Sequence, residues 1–288
     1  MNILTQLTKY TLSAAIIISC SNKKDQFLFS SSRNGNGDIF IMNYDGSNMQ
    51  QLTSSDLEEW APVWITKEKI SFLRQDGDKI TRHKLNIQSK KEEEIPQPTN
   101  CILDDKNSLF ADQGKRALYL CGKDIFLWDA ITDSEVNLTE ELSGVSNYPA
   151  WSHDFKSMLF TNNSSGSNDI YKMDIVSKNA IKLIDFDSND ERGSLSSDGS
   201  KLVFSSDRDH KGNQDIYILD VETQELTNIA NSDGQELIAR WSRDDKYIFF
   251  GSNKDGNWEI YSFQLEGEKI SRLTNNPEFD GDPRVLLH

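Results

Sequence analysis

The chain has 288 residues, with 46 acidic against 31 basic side chains and a formal net charge of −15. So acidic a protein repels nucleic acid and anionic lipid headgroups, and no Lys/Arg run or basic stripe argues otherwise, so both partner classes are set aside. No stretch carries the apolar period of a long amphipathic helix, which excludes helical bundles and α/β folds.

Residues 1–19 do not share the pattern of the rest of the chain. Lys9 precedes the apolar run 11–18, which has the length of a signal-peptide core and is too short to span a bilayer as a mature helix. The run ends in Ser19-Cys20 and resembles the lipobox of a bacterial lipoprotein signal. That resemblance implies cleavage before Cys20, a diacylglycerol on its thiol, and, with Ser21 next, an outer-membrane anchor facing the periplasm. An ordinary secretion signal with a chance cysteine is the alternative. Residues 20–26 read as a polar tether.

From Phe27 the chain repeats one unit, clearest over residues 240–274. There a Trp-Ser pair, the run YIFFGS, the run EIYSF and the run ISRLT are separated by turns built from Asp, Gly, Asn, Lys and Glu. Short runs rich in aromatic and β-branched residues between such turns are the pattern of an antiparallel meander. One column measures the period: an acid, Ile and an aromatic recur at Asp38-Ile39-Phe40, Asp124-Ile125-Phe126, Asp169-Ile170-Tyr171, Asp215-Ile216-Tyr217 and Glu259-Ile260-Tyr261. The degenerate Lys79-Ile80-Thr81 fills the gap, and the spacing is roughly 45 residues throughout. Six four-stranded units, none able to bury its faces alone, predict an all-β, six-bladed β-propeller of antiparallel blades over residues 27–288.

Blade 1 (27–53) lacks a first strand. Blade 2 (about 59–98) is the least regular, with KEEE where its fourth strand should begin and Pro96 and Pro98 beyond. Blades 3 to 6 occupy about 104–139, 146–184, 190–230 and 236–274. The tail supplies what blade 1 lacks, because Asp282-Pro283-Arg284-Val285 matches Ala61-Pro62-Val63-Trp64 and Tyr148-Pro149-Ala150-Trp151. The C-terminal strand is therefore expected to become the innermost strand of blade 1 and to close the ring. Cys101 lies in a poorly patterned stretch and Cys121 ends a strand, so two separate buried thiols are expected, with a disulfide as the alternative.

The motifs Pro-x-Trp-Ser-x-Asp-x-Lys at 149–156, Trp-Ser-x-Asp-x-Lys at 241–246, Ser-Ser-Asp-Gly-Ser-Lys at 196–201 and Ser-Asp-Arg-Asp at 206–209 resemble the repeat of the TolB propeller family. The resemblance covers nearly all of residues 27–287. It implies the propeller fold and an envelope role. TolB carries an α/β domain ahead of its propeller that this chain does not show, so binding to the peptidoglycan-associated lipoprotein is only weakly implied.

The recurring acids read as structural acceptors for loop amides, as do Asp154, Asp198 and Asp244 in the Trp-Ser turns. Trp64, Trp151 and Trp241 read as packing between blades. The Gly/Asn/Asp-rich loops are spread around the ring and do not converge as calcium requires. His83, His153, His210 and His288 form no metal-binding pair, and no GxSxG elbow occurs. Neither a metal nor another cofactor is expected, nor a catalytic residue. A carbohydrate-active or metal-dependent enzyme built on the propeller is one alternative, and a Tol–Pal-like envelope component is the other.

Binding is expected at one mouth of the central channel, where an outer strand hands over to the next inner strand. The positions there are Glu59-Trp60-Ala61, Asp105-Lys106-Asn107, Ser146-Asn147-Tyr148, Asp190-Glu191-Arg192, Glu236-Leu237-Ile238 and Asp280-Gly281-Asp282. Seven carboxylates face two bases in that set, and Trp60 and Tyr148 offer aromatic anchors. The contact residues expected are Glu59, Trp60, Asp105, Asn147, Tyr148, Asp190, Glu191, Arg192, Glu236, Asp280 and Asp282. This reading makes the chain a non-catalytic, monomeric, lipid-anchored binding module for a protein or peptide, with the acid excess favouring a cationic one.

Overall fold

The structure, a computed structural model, describes residues 25–96, 101 and 106–287. The expected signal peptide, Cys20, most of the tether and Asp105 lie outside the described residues. Six four-stranded antiparallel sheets form the ring. The inner strands are Asp280–Val285, Glu58–Thr66, Leu109–Ala111, Ser146–Trp151, Asp190–Leu195 and Glu236–Trp241, in blades 1 to 6. Among the described residues no helix is long and apolar enough to cross a membrane.

Ring closure follows the expectation. Strand Asp280–Val285 pairs with Gln26–Ser31 through Phe27↔Val285, Leu28↔Arg284, Ser30↔Gly281 and Ser31↔Asp280, so the two ends of the described chain share one sheet. This completes blade 1 with the fourth strand its own segment lacks and fastens the ring between the two chain ends.

Burial is nearly continuous along the middle strands rather than alternating. All six residues of Asp38–Asn43 are buried, because each sheet is covered on both faces by its neighbours. Phe27, Phe29, Phe40 and Met42 of blade 1 pack on Phe249 and Ile260 of blade 6, with the Phe27 and Phe249 rings 4.5 Å apart. On its other side, blade 1 packs Leu28, Ile39 and Ile41 against Ile70, Phe72 and Leu85 of blade 2. The tryptophans lock successive inner strands as expected. Trp64 Nε1 donates to the Arg284 carbonyl (2.9 Å), Trp151 Nε1 to that of Leu109 (2.8 Å) and Trp241 Nε1 to that of Ser194 (3.1 Å), each across a blade boundary.

The cysteines depart from expectation. Cys101 and Cys121 form a disulfide with Cα atoms 5.4 Å apart, tying the segment that leads into blade 3 to that blade's second strand. Their separation of 20 positions in the sequence hid the contact. Blade 3 has the shortest inner strand, three residues ended by a 3₁₀ turn, and the bridge constrains its approach.

Candidate functional site

What the inner strands present to the channel is set by a bulge. In five of the six the register slips, at Trp60/Val63, Asn147/Ala150, Glu191/Ser194 and Leu237/Arg240, and opposite Leu28/Ser30 in blade 1. One residue within each slip sits in the left-handed region: Ala61 (φ 51), Tyr148 (φ 49), Arg192 (φ 58), Ile238 (φ 60) and Asp282 (φ 60). Such a bulge re-aims one side chain and leaves one residue out of the ladder. It explains the proline that comes next in three blades, Pro62, Pro149 and Pro283, since proline within a sheet is confined to edges and bulges. Five non-glycine residues held at positive φ cost about 1–3 kcal/mol each, so the surrounding ring must over-determine them.

The residue two before each left-handed position is turned inward and buried, which corrects the expected rim. Glu59, Asp190 and Asp280 have no exposed surface and Glu236 has 1%. Each is held by groups of its own blade. Asp280 accepts two bonds from Arg33 Nη2 (2.8 and 2.9 Å), Glu59 accepts from Arg74 Nε (2.7 Å), and Asp190 accepts from Arg208 Nη2 (3.1 Å). Glu236 has no arginine and takes the hydroxyls of Ser232 (2.5 Å) and Ser252 (2.8 Å) instead. Four of the seven expected carboxylates are therefore internal struts. Among the described residues, Glu191 and Asp282 are the expected carboxylates left partly exposed at this mouth.

Of the other expected contact residues, Trp60, Asn147, Tyr148, Glu191, Arg192 and Asp282 are half-buried around the channel. The Arg192 guanidinium lies 4.0 Å over the Tyr148 ring, donates to its hydroxyl (3.0 Å), and pairs with Glu191 (2.5 Å). Two of the three named groups from blade 5 are thereby joined to the aromatic anchor of blade 4.

The recurrent acids accept mostly from side chains and not, as expected, from loop amides; Glu259 is the exception, accepting the Asn276 amide (2.9 Å). Ile39 N–H donates to Thr53 Oγ1 (2.9 Å) while Asp38 accepts from Gln51 Nε2 (2.8 Å) and the Thr53 hydroxyl (3.4 Å). The pair Ile125/Thr139 repeats this at 3.0 Å and Ile260/Thr274 at 2.8 Å. In the Trp-Ser turns and the equivalent Leu195-Ser196 turn, Asp154, Asp244 and Asp198 accept Ser hydroxyls at 2.7–2.8 Å. Turn amides and hydroxyls hold Asp198 down to about 2, below the usual carboxylate range.

Asp38 behaves oppositely. Burial, and then the neighbouring Glu59 charge, push it up to about 6 from 3.8. A carboxyl with a raised folded pKa disfavours the fold fully above pH 6, and this penalty fades as pH falls from 6 toward 3.8. Asp38→Asn is therefore expected to raise stability at pH 8, with the advantage shrinking steadily below pH 6. Urea unfolding of both proteins at pH 8, 6 and 4.5 checks this, and a pH-independent difference would refute it.

The large cavity opens at the opposite mouth, where the inner strands end. It has a volume of about 960 Å³ and is lined by Trp64, Phe110, Trp151, Phe155, Trp241 and Leu286, among others, with Arg240 and Arg284 reaching it from the channel wall. The rim chosen from sequence lies at the strand starts, so this wall was missed. The inner-strand tryptophan column was its available signal. Among the described residues no group of three or more His, Cys, Asp or Glu is gathered as a metal ion would require.

No protein-family model matches the chain, and no curated protein matches it. Solved structures do. TolB from Acinetobacter baumannii superposes with a TM-score of 0.77 at 18% identity, over 90% of this chain and 66% of that one. A putative TolB from Agrobacterium tumefaciens does so at 0.70 and 17% identity, over 89% of this chain and 90% of the other. An oligogalacturonate lyase in complex with manganese matches at 0.57 and 12% identity, over 88% and 75% of the two chains. The chain thus spans 66% of the length of the Acinetobacter TolB and keeps its propeller geometry. Its fold is that of a TolB-like six-bladed β-propeller.

Proposed function

We propose that this chain is a non-catalytic binding module of a bacterial cell envelope, which takes a protein or peptide segment into the aromatic-lined mouth of its channel. The observation that carries the reading is that cavity of about 960 Å³, walled by tryptophan and phenylalanine at the strand ends of several blades. Pockets of this size, mostly apolar with a few placed polar groups, suit a ligand segment of several residues. The wall is rigid. Three of its tryptophans are fixed by indole bonds to neighbouring blades, so binding needs little rearrangement. Similarity to TolB supports an envelope setting, and the Cys20 motif supports a lipid anchor there.

Site-specific photocrosslinking in intact envelopes tests it. A crosslinker at Ile65 or Phe110, on the cavity wall, is expected to capture one discrete partner that a crosslinker at Val176 does not. Val176 lies in the turn between the third and fourth strands of blade 4 and is 92% exposed. Equal capture from all three positions would move function to the lateral faces. Incorporation of labelled palmitate, lost in Cys20→Ser, checks the anchor separately.

A further inference from the structure

Three consecutive inner strands place a guanidinium in the channel: Arg192 of blade 5, Arg240 of blade 6 and Arg284 of blade 1. Arg192 is at the bulge, and the other two are two positions beyond it in their own strands. They are close enough to act on one another. Arg240 Nη1 donates to the Arg192 carbonyl (3.0 Å) and to the Ala239 carbonyl (2.7 Å), and among the described residues it has no carboxylate within ion-pair distance. Arg284 Nη2 stands 3.5 Å from Asp282, while its Nε is buried with no hydrogen-bond partner. Arg192 is the best satisfied, held by Glu191 and Tyr148.

Within ion-pair reach these three guanidinium groups meet two carboxylates, Glu191 and Asp282, in a chain whose net charge is −15, while Glu68, Asp112 and Asp154 also line the cavity together with Lys67 and Lys69. Burial, then the neighbouring Arg284 charge, hold Arg240 well below the usual arginine range. A half-buried cation with no carboxylate in ion-pair distance is stabilised by an anion that completes it. Most of the chain's arginines that touch buried carboxylates have such a partner already: Arg33, Arg74, Arg208 and Arg272 each hold an acid with no exposed surface. Arg240 departs from that habit, as does Arg82, which bonds Asn107; of the two, Arg240 lines the cavity.

We propose that Arg240 and Arg284, backed by Arg192, form an anion site at the floor of the cavity that receives the free C-terminal carboxylate of an apolar peptide segment. The inference rests on the reading of the cavity as a peptide-binding site and adds polarity to it: the segment enters carboxyl end first. The geometry matches this chemistry at both ends. The planar guanidinium fork suits a carboxylate, and the tryptophan, phenylalanine and leucine wall above it suits the side chains that precede one. A fatty-acid carboxylate shares the charge but offers no amides to the polar wall atoms of Ser194 and Asp154.

The test is titration of the full mature chain, monitored by quenching of its tryptophan fluorescence, with an N-acetylated tetrapeptide of leucine and alanine. The same peptide as its C-terminal amide, and decanoate, serve as the other arms. The free acid is expected to bind roughly tenfold or more tighter than the amide, with the difference abolished in Arg240→Gln and reduced in Arg284→Gln. The acid-to-amide comparison uses the unaltered protein, so it stands even where a variant folds poorly. Equal binding of acid and amide would overturn the anion site and leave the peptide reading intact. Decanoate bound in an Arg240-dependent way with no peptide bound would overturn the peptide assignment, and no binding by any probe would overturn both.

Discussion

Removing residues 282–288 is expected to lower the unfolding midpoint by about 10 °C or more and to broaden the transition. The deletion takes away Arg284 and Val285, whose backbones pair with Leu28 and Phe27, and so strips most of the inner strand from blade 1. Phe27 and Leu28 are completely buried, and the exposed edge of their strand would meet water along the channel. The Arg284 carbonyl is also the acceptor of the Trp64 indole, so the blade 1–blade 2 boundary loses its lock. Several lost backbone bonds at about 1 kcal/mol each, plus the uncovered apolar surface, sum to on the order of 4 kcal/mol or more. For a domain of this size each kcal/mol moves the midpoint by about 2–4 °C. Differential scanning calorimetry of the deleted and full chains measures it. A deletion that melts with the midpoint and enthalpy of the full chain would show that blade 1 is self-sufficient with three strands.

The strand exchange behind this expectation is visible in the sequence because Pro283 falls in the same column as Pro62 and Pro149, and a column repeated at one period needs no knowledge of contacts. The same column misled the reading of the rim. Proline marked a bulge, and beyond a left-handed residue the two-residue alternation of side chains no longer tells which face a position takes. Counting back from the proline, or the position equivalent to it, placed Glu59, Asp190, Glu236 and Asp280 at a solvent mouth, whereas all four are buried and held within their own blades. Their partners were equally hidden. Arg33 and Asp280 are 247 positions apart, and only ring closure makes them neighbours. Counting forward past the slip would have found Arg240 and Arg284, but nothing local to either residue says that its guanidinium looks into a cavity. The disulfide escaped for a related reason: local patterning reports strands, and Cys101 is in none.

The buried struts make the second large prediction. Arg208→Met is expected to destabilise the fold by about 3–5 kcal/mol at pH 7.5, the usual cost of leaving one member of a buried pair alone. Methionine keeps much of the apolar cover that the Arg208 side chain gives to Phe186, Phe204 and Tyr217, so the loss reports mainly on the charge of Asp190. Asp190 is already raised above the usual carboxylate range by burial, with Arg208 among the groups that restrain the rise. Without Arg208 its folded pKa climbs further, and an acid with a raised folded pKa regains stability as pH falls through that value. The variant should therefore recover much of its deficit between pH 7.5 and pH 5, while Ser206 and Ser188 continue to bond the neutral acid. Adding Asp190→Asn should restore a large part of the stability at pH 7.5, because the uncompensated charge is then gone. Denaturant unfolding of the two single variants and the double variant, at both pH values, separates this from simple loss of packing. A deficit in Arg208→Met that is equal at pH 7.5 and pH 5, and is not relieved by Asp190→Asn, would mean that the arginine stabilises blade 5 through its contacts with the aromatic rings and not through the carboxylate beneath them.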